Sequence, residues 1–504
     1  MNRSMTGFSL TVLLISICLP VYSVASEVST RHPNIVYILA DDLGIGDVRA
    51  FNPEGRIATP NLDRLAGEGM KFTDAHSGSA VCTPTRYGIL TGRYAWRTRL
   101  KSGVLWGYSM PLIEEGRLTV ASMLKQLGYK TGCIGKWHLG LEWGRIDPSV
   151  DPIDSSTELW HNYDFAKSIL SGPVHVGFDS WFGISASLDM HPHVYIRDDR
   201  VTSAVTRITD GSTGKKFWRR GPIGDDFRHI EVLDRLTEEA VAYVNAQSKD
   251  QPFFMYVPLP APHKPIIPTA RFQNRSGLNE WGDFVMQVDW TIGKVMQTIE
   301  AKGLTQNTLF IVTSDNGATP GADFEELGSH GHSPSAQYRG HKADIYEGGH
   351  RVAFIARWPA AVKAGTVSDE TICHTDLLAT VADITGFELP ASSGEDSVSL
   401  LPLMKQSSDG PVREATVHHS INGSFAVRRG VWKLCLCPGS GGWSDPRPEE
   451  AKEQDLPSVQ LFNLSADPAE QHNVHADHPD VVQQLRQLLQ RYIDEGRSTP
   501  GVAH

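Results

Sequence analysis

The chain has 504 residues, of which 40% are hydrophobic and 21% are charged, and its formal net charge is −11. This composition is ordinary for a globular protein, and the length allows one large domain together with a smaller one. The excess of acidic residues excludes a general attraction to nucleic acid, so we predict no nucleic-acid partner. An anionic ligand would have to be drawn by local positive charge.

The first 25 residues have the pattern of a secretory signal peptide. Arg3 is the positive start, residues 8–20 are apolar, and Ser23-Val24-Ala25 forms a small-residue cleavage site. A membrane anchor is the alternative, but the apolar stretch is short for a bilayer span. We therefore predict a periplasmic or secreted protein with no membrane anchor after cleavage.

The segment 34–40 is a continuous apolar run rich in β-branched residues. Such a run predicts a strand that is buried on both faces, as in a parallel sheet. The run ends at Asp41 and Asp42, and ligands bind at the C-terminal ends of such strands. We therefore expect these two carboxylates to face a binding site.

The segment 79–93 starts as a loop and continues into a helical pattern. Pro84 fits the first helical turn, because its missing N–H costs nothing there. Cys82 then lies at the helix N-terminus, beside unpaired backbone N–H groups, and Arg86 projects from the same face. The segment therefore predicts a nucleophile and a guanidinium beside a site for an oxyanion such as sulfate or phosphate.

A helix over residues 119–128 and a strand over residues 129–134 come next, followed by Gly-Lys-Trp-His-Leu-Gly at residues 135–140. Continued strand alternation predicts that Lys136 and His138 lie on the same side. Residues 141–230 look irregular, and their mix of aromatic and charged side chains favours an insertion that shapes a substrate pocket. Asp189 lies in this insertion.

Strands and helices alternate again in the second half of the chain. Residues 231–247 predict an amphipathic helix, and residues 253–257 predict a buried strand that runs into a proline-rich segment. The prolines around His263 would hold its side chain in place with little entropy left to lose. This alternation is typical of a doubly wound α/β domain.

The strand predicted at residues 308–314 ends in Asp315 and Asn316, as the first strand ends in two aspartates. Two parallel strands with such ends can bring oxygen ligands to one divalent cation. Three carboxylates and an amide, with no thiolate or imidazole, favour a hard ion.

The pattern changes after about residue 415, where short strands are predicted at residues 424–427, 431–436 and 459–464, followed by a helical stripe over residues 481–493. We predict a catalytic domain at residues 32–414 and a C-terminal α+β subdomain at residues 415–504. The fold class is α/β, with a large, mostly parallel mixed sheet flanked by helices and a small antiparallel sheet with one covering helix.

Four cysteines remain besides Cys18 in the signal segment and Cys82, and so few do not form a disulfide framework in a chain of this length. We expect Cys133 and Cys373 to be buried thiols, because both lie in apolar surroundings. Whether Cys435 and Cys437 form a disulfide stays open.

Three strings together resemble the signatures of the type I, formylglycine-dependent sulfatases of the alkaline phosphatase superfamily. They are Cys-Thr-Pro-Thr-Arg at residues 82–86, Gly-Lys-Trp-His-Leu-Gly at residues 135–140, and residues 339–352 with a lysine before Glu-Gly-Gly. The family often has Val or Thr where His350 stands. The resemblance covers nearly all of residues 32–475 and implies the alkaline-phosphatase-like fold.

The resemblance implies that Cys82 is oxidised after translation to 3-oxoalanine (formylglycine) by a formylglycine-generating enzyme. It also implies a Ca²⁺ ion that is bound by residue 82 and by the strand-end residues Asp41, Asp42, Asp315 and Asn316. The catalytic set that it implies is Cys82, Arg86, Lys136, His138, His263 and Lys342. We expect Ser187, to which Ser185 is a close alternative, Asp189 and Arg339 to bind substrate.

The implied reaction is the hydrolysis of a sulfate ester. A hydroxyl of the hydrated aldehyde attacks sulfur, His263 or Lys342 protonates the departing alcohol, and His138 then takes a proton from the second hydroxyl so that sulfate leaves. A sulfated carbohydrate is favoured over a small aryl sulfate, whereas the sugar, the sulfate position and endo or exo action stay open. Alternatives are a formylglycine-dependent phosphodiester or phosphonate hydrolase, and an inactive carbohydrate-binding homologue.

Overall fold

A computed structural model describes Met1, residues 32–152 and residues 160–499. The signal prediction for residues 1–25 therefore lies outside the described residues, apart from Met1. No helix in the described ranges is both long enough and apolar enough to cross a membrane.

The strands of the described residues form one large sheet, one smaller four-stranded sheet and two short pairs. In chain order the strands are β1 (Asn34–Asp41), β2 (Met70–Phe72), β3 (Ala75–His76), β4 (Lys130–Lys136), β5 (Ser180–Ile184), β6 (Ile196–Arg197), β7 (Arg200–Val201), β8 (Arg207–Thr209), β9 (Gly221–Ile223), β10 (Phe253–Pro262), β11 (Thr308–Ser314), β12 (Phe354–Arg357), β13 (Thr366–Ser368), β14 (Ile372–Cys373), β15 (Thr416–His419), β16 (Phe425–Arg429), β17 (Trp432–Cys435) and β18 (Gln460–Asn463).

Helices cover both faces of the large sheet. In chain order the α-helices are α1 (Pro60–Glu68), α2 (Cys82–Thr91), α3 (Val120–Gln126), α4 (Val232–Ala246), α5 (Glu280–Ala301), α6 (Phe324–Ser329), α7 (Glu347–His350), α8 (Leu377–Thr385), α9 (Leu401–Met404), α10 (Pro448–Glu453) and α11 (Pro479–Asp494). The helices predicted at residues 119–128 and 231–247 are thus confirmed as α3 and α4.

The centre of the large sheet is β1, which pairs in parallel with β11 on one side and β10 on the other. Alternate residues of β1 enter two different cores: Ile35 and Tyr37 pack with α2, α3 and α8, whereas Val36 and Ile38 pack with α1, α4 and α5. The strands predicted at residues 34–40 and 308–314 are confirmed. Because they are parallel neighbours, their C-terminal ends meet at one edge of the sheet.

The order of the large sheet is β13-β2-β12-β11-β1-β10-β4-β5-β6-β7, and its central strands are parallel while its two ends are mixed. The α/β fold class is therefore confirmed. The irregular region predicted at residues 141–230 was partly wrong, since β5 joins the large sheet beside β4. The apolar residues of β5 are buried, but a strand of only five residues between loops is too short to show a clear periodicity in the sequence.

The strand β10 is longer than the prediction, which ended it at residue 257. The extension contains Pro258, Pro260 and Pro262. Because prolines at every second position place their missing N–H groups on one edge of a strand, the opposite edge keeps its donors. The pairing of β10 with β1 accordingly continues as far as Asp41 and Pro262, whereas its register with β4 ends at Tyr256.

The C-terminal strands β15 to β18 form an antiparallel sheet that is covered by α11. The predicted strands and helix of this region are confirmed, and β15 is added to them. The sheet also contacts the loop before Cys82, because the N–H of Ala80 and the hydroxyl of Ser79 donate to the carbonyl of His419, at 3.0 and 3.2 Å. The described residues from His32 on form one compact unit, and we retain the division at residues 414 and 415 as a proposal that rests on the separate sheet.

The cysteines outside the masked segments are all free and buried. The prediction of buried thiols at Cys133 and Cys373 is confirmed. Cys435 and Cys437 do not form a disulfide in the structure.

Candidate active site

The ends of β1 and β11 place four polar side chains in one buried cluster. The backbone N–H of Asp42 donates to Oδ1 of Asp315 at 3.2 Å, and the amide of Asn316 donates to Oδ1 of Asp42 at 2.7 Å. Asp42 has a φ of 67°, a conformation that non-glycine residues seldom adopt and that aspartate tolerates. The structure thus brings together Asp41, Asp42, Asp315 and Asn316, which are 0% exposed.

Three oxygens of this cluster are buried and have no hydrogen-bond partner among the described residues: Oδ1 of Asp41, Oδ2 of Asp42 and Oδ1 of Asn316. Buried polar atoms are nearly always paired, because an unpaired one costs about 1–3 kcal/mol. Carboxylate and amide oxygens are the ligands that a hard cation such as Ca²⁺ prefers. The donor set therefore fits a divalent cation.

Cys82 is the first residue of α2, next to this cluster. Its side chain offers a ligand atom within 4.8 Å of ligand atoms on Asp41 and Asp315, and the residue is 2% exposed. The position predicted for Cys82 at a helix N-terminus is confirmed. Burial raises the pKa of the Cys82 thiol although Lys136 and Lys342 oppose this change. The unmodified side chain is therefore a protonated thiol, which is a poor nucleophile.

Arg86 crosses the cluster from the next turn of α2. Its guanidinium donates to Oδ2 of Asp315 through Nε at 3.0 Å and Nη2 at 2.7 Å, and Nη1 donates to the carbonyl of Lys136 at 3.0 Å. Nη2 is also 3.7 Å from Oδ2 of Asp41. Arg86 therefore ties the two strand ends to α2 and to the end of β4.

Lys136 and Lys342 approach the carboxylates from two other sides. Nζ of Lys136 is 2.5 Å from Oδ2 of Asp41 and 2.6 Å from the hydroxyl oxygen of Ser187, and Nζ of Lys342 is 2.7 Å from Oδ1 of Asp42. The contact with Lys136 favours Ser187 over Ser185, whose buried hydroxyl has no hydrogen-bond partner in the part of the chain that the structure describes.

The buried charges of the site balance when all the carboxylates are ionised. The charged groups are Asp41, Asp42, Asp315, Arg86, Lys136 and Lys342. Burial and the negative charge of Asp41 raise the pKa of Asp315, so the two carboxylates compete for the same positive charge. A divalent cation would relieve this competition and would leave the pocket with a positive charge that attracts an anionic ester.

His138 lies just after β4, with a φ of 58°. The prediction relied on strand alternation continuing from Lys136 to His138. This reasoning was wrong, because the strand ends at Lys136 and the backbone changes direction before His138. Nε2 of His138 lies 2.8 Å from the carbonyl of Leu105 and must donate to it, so Nδ1, which is buried and unpartnered, holds the lone pair. Burial and the charge of Lys136 hold the pKa of His138 well below its usual range. His138 is therefore a neutral imidazole with one free acceptor.

His263 follows β10 on another side of the cluster. Its Nδ1 donates to the carbonyl of Lys264 at 2.7 Å, and its Nε2 lies 3.8 Å from Oδ2 of Asp42. Burial and the charge of Lys342 lower the pKa of His263. The atom of His263 that faces the cluster is thus Nε2.

The two remaining predicted residues differ in position. Asp189 lies close to the cluster, with Oδ1 at 4.0 Å from Nδ1 of His263. Arg339 instead donates to the carbonyl of Glu470 and lies over the ring of Tyr346, so its guanidinium is directed to the C-terminal region. Its role in substrate binding stays a prediction. Arg219 belongs to the same predicted insertion, where the sequence assigned it no role of its own, and it pairs with Asp189 from 30 residues away.

A second buried cluster contains His350, for which the sequence suggested no role. Nδ1 of His350 lies 3.0 Å from Nδ1 of His76, and Nε2 of His76 lies 2.8 Å from Asp74. The rings of His350 and His418 stack at 4.0 Å with an angle of 8° between their planes. Ligand atoms of His76, His350 and His418 lie within 4.8 Å of one another, but two of the three rings are stacked face to face rather than turned toward a common point.

Comparison with known proteins identifies close relatives over nearly the whole chain. A family model described as Sulfatase matches residues 33–387. An N-acetylgalactosamine-6-O-sulfatase of Bacteroides thetaiotaomicron is 34% identical, over 92% of this chain and 93% of that protein. Arylsulfatase A of Homo sapiens is 31% identical, over 91% of this chain and 87% of that protein. A solved structure from work on the metabolism of multiple glycosaminoglycans by Bacteroides thetaiotaomicron aligns with a TM-score of 0.79 and 33% identity, over 91% of this chain and 99% of that one.

Proposed function

The chain belongs to the sulfatase family, and we propose that this hydrolase removes the 6-O-sulfate ester from N-acetylgalactosamine residues of a sulfated glycan. The observation that carries the reaction is the convergence of Cys82, Arg86 and the unpaired oxygens of the strand ends at one helix N-terminus. Support for the sugar comes from the relative that is 34% identical and is named an N-acetylgalactosamine-6-O-sulfatase.

The nucleophile in this proposal is residue 82 after its conversion to formylglycine by a formylglycine-generating enzyme. The hydrated aldehyde would supply one hydroxyl that attacks sulfur and a second whose deprotonation releases sulfate again. The sulfur atom of Cys82 in the structure stands in for these hydroxyl oxygens. The need for two hydroxyl groups supports the modification, since an unmodified thiol or serine hydroxyl has no second hydroxyl to release the sulfate and would stay sulfated.

A Ca²⁺ ion fits the oxygens of Asp41, Asp42, Asp315 and Asn316, and it would supply charge stabilisation for the attacked sulfuryl group. Around it, Lys136 and Lys342 hold ammonium groups that can bind the sulfuryl oxygens once the ester displaces their present contacts. Negative charge that develops on those oxygens would be stabilised by these fixed donors.

Two histidines provide proton transfer at different atoms. Nδ1 of His138 is a free acceptor in a neutral ring and can take a proton from the second hydroxyl of residue 82. Nε2 of His263 faces the cluster and, when it carries a proton, can give it to the departing sugar oxygen, a role that Lys342 could share. Substrate binding adds negative charge, which favours the protonated form of His263.

The proposed route to the working enzyme includes export. We propose that residues 1–25 are removed as a signal peptide and that the protein acts in the periplasm or outside the cell. A large polymeric glycan would meet the enzyme there.

The substrate proposal predicts a ranking in a sulfate-release assay. With formylglycine-containing enzyme, we expect N-acetylgalactosamine 6-sulfate to have the highest kcat/KM. The values for N-acetylgalactosamine 4-sulfate, whose ester is on another carbon, and for N-acetylglucosamine 6-sulfate, whose 4-hydroxyl has the other orientation, should be at least about tenfold lower. An equivalent phosphonate monoester should be slower still. A higher kcat/KM for the 4-sulfate or for the phosphonate would contradict the proposal, and enzyme with Cys82→Ala is the background control.

The cation proposal predicts one Ca²⁺ per chain by elemental analysis after gel filtration. Treatment with a chelator should lower the melting temperature and abolish turnover, and added Ca²⁺ should restore both, since ligand binding stabilises the folded state. Asp42→Asn should lose the bound metal, whereas the exposed Asp445→Asn should keep it. An unchanged metal content in Asp42→Asn would show that the ion lies elsewhere.

A further inference from the structure

Asp189 has one carboxylate oxygen that nothing in the described residues satisfies. Its side chain is 9% exposed, and Oδ1 is buried without a hydrogen-bond partner. Oδ1 lies 4.0 Å from Nδ1 of His263, but this nitrogen already donates to the carbonyl of Lys264. A buried carboxylate oxygen in this position calls for a donor that arrives from outside the chain.

Arg219 is held against Asp189 by its backbone as well as by its side chain. Its guanidinium forms an ion pair with Oδ2 of Asp189, and its backbone N–H donates to the carbonyl of Asp189 at 3.0 Å. Its own carbonyl accepts from Nε2 of His193 at 2.9 Å, and Nδ1 of His193 lies 3.1 Å from Nε2 of His229. The pair of Asp189 and Arg219 is therefore fixed before any ligand binds.

The surroundings of this pair suit a sugar. The guanidinium of Arg219 lies 5.0 Å from the ring centres of both Trp106 and Phe217, and 28% of its side chain is exposed. Trp106 follows Leu105, the residue whose carbonyl accepts from His138, and Asp189 itself lies beside His263. Phe217 and Lys264 also line an open cleft of about 670 Å³, which leaves room for a longer glycan.

We propose that Asp189 and Arg219 together bind a hydroxyl of the sugar that carries the sulfate and so select its stereochemistry. A hydroxyl group donates one hydrogen bond and accepts others, and this pair offers a carboxylate acceptor beside a guanidinium donor. The inference rests on the proposed function, in which the ester oxygen lies at His263. In a 6-sulfate, the hydroxyl nearest the ester is the one on C4, whose orientation distinguishes galacto from gluco sugars.

A substrate and enzyme cycle tests this assignment. We expect the wild type to lose about 10- to 100-fold in kcat/KM when the 4-hydroxyl of N-acetylgalactosamine 6-sulfate is removed, because hydrogen bonds to charged groups are worth this much. Asp189→Asn and Arg219→Ala should lose a similar factor on the hydroxylated sugar. On the 4-deoxy sugar and on 4-methylumbelliferyl sulfate the loss caused by each substitution should be several-fold smaller than on the hydroxylated sugar, and this difference is the readout. Arg235→Ala, which removes an exposed arginine from α4, is the matched control.

The results separate the inference from the proposed function. If both variants lose activity equally on the hydroxylated and the deoxy sugar, Asp189 and Arg219 do not bind that hydroxyl, and the inference is overturned. If the wild type prefers another sulfated sugar, the proposed substrate is wrong, and the same cycle with the deoxy analogue of that sugar still decides the role of the pair. Melting temperatures within a few degrees of wild type show that the variants are folded; Arg219→Lys gives a second test in which charge is kept and the fork geometry is lost.

Discussion

Replacing Cys82 by alanine is expected to lower sulfate release by roughly 10⁶-fold, the loss typical of an enzyme without its nucleophile. The helix N-terminus, Lys136 and the strand-end oxygens stay in place in this variant, so binding of the sulfated sugar should persist. The melting temperature is measured alongside to show that the variant is folded, because the substitution removes the hydroxyl oxygens of the hydrated aldehyde and with them a ligand of the proposed cation. Sulfate release is measured by ion chromatography and sugar binding by calorimetry.

The serine variant at the same position distinguishes the formylglycine mechanism from an ordinary nucleophile. Serine has one hydroxyl, so an enzyme with Cys82→Ser and no further modification should release at most one equivalent of desulfated sugar per active site and keep the sulfate on the peptide that contains residue 82. Peptide mass spectrometry detects both the retained sulfate and the aldehyde of the wild type. Repeated turnover by an unmodified serine or cysteine enzyme would contradict the proposal.

Replacing His138 and His263 singly by asparagine is expected to lower kcat by roughly 10²–10⁴-fold in each case, at different steps. Asparagine is chosen because it tolerates the φ of 58° at position 138. Without His138 the second hydroxyl keeps its proton, so His138→Asn should show a burst of about one equivalent of sugar and accumulate sulfate on residue 82. Without His263 the sugar leaves slowly, so His263→Asn should show no burst.

The leaving group and the pH separate the two roles further. The defect of His263→Asn should shrink with an aryl sulfate, whose phenolate leaves with less need of a proton, whereas the defect of His138→Asn should not. Because burial and Lys136 lower the pKa of His138, its ring stays neutral below the usual value of about 6.5, and activity that depends on it should persist to lower pH. Rapid-quench mass spectrometry that finds equal adduct levels in the two variants would show that these roles are assigned wrongly.

Much of the central sheet could be predicted from the sequence, because β1 and β11 are buried on both faces and their apolar runs are uninterrupted. The parallel pairing of these strands also makes the meeting of Asp41, Asp42, Asp315 and Asn316 predictable. The position of Cys82 followed from helix capping rules alone. These features depend on local pattern and on one rule of sheet topology.

The remaining features depend on tertiary contacts that no local pattern contains. The backbone of His138 adopts a left-handed conformation, whereas the sequence pattern was still compatible with strand alternation at this position. Arg219 reaches Asp189 across an insertion without periodicity, and the partners of His350 lie far away in the chain. The guanidinium of Arg339 donates to the carbonyl of Glu470, which is 131 residues away in the chain, and its expected role in substrate binding stays a prediction.

The burial of α2 has a consequence for the order of events while the protein is made. All ten residues of the helix are buried, and the strand that holds the loop before Cys82 contains His419, which follows Ser79 by 340 residues. If residue 82 is modified, as we propose, a second enzyme must reach it while the later strands are still being synthesised or exported. A chain that folds first would enclose an inert thiol. The yield of active enzyme would therefore depend on whether residue 82 is modified faster than the last strands fold around α2.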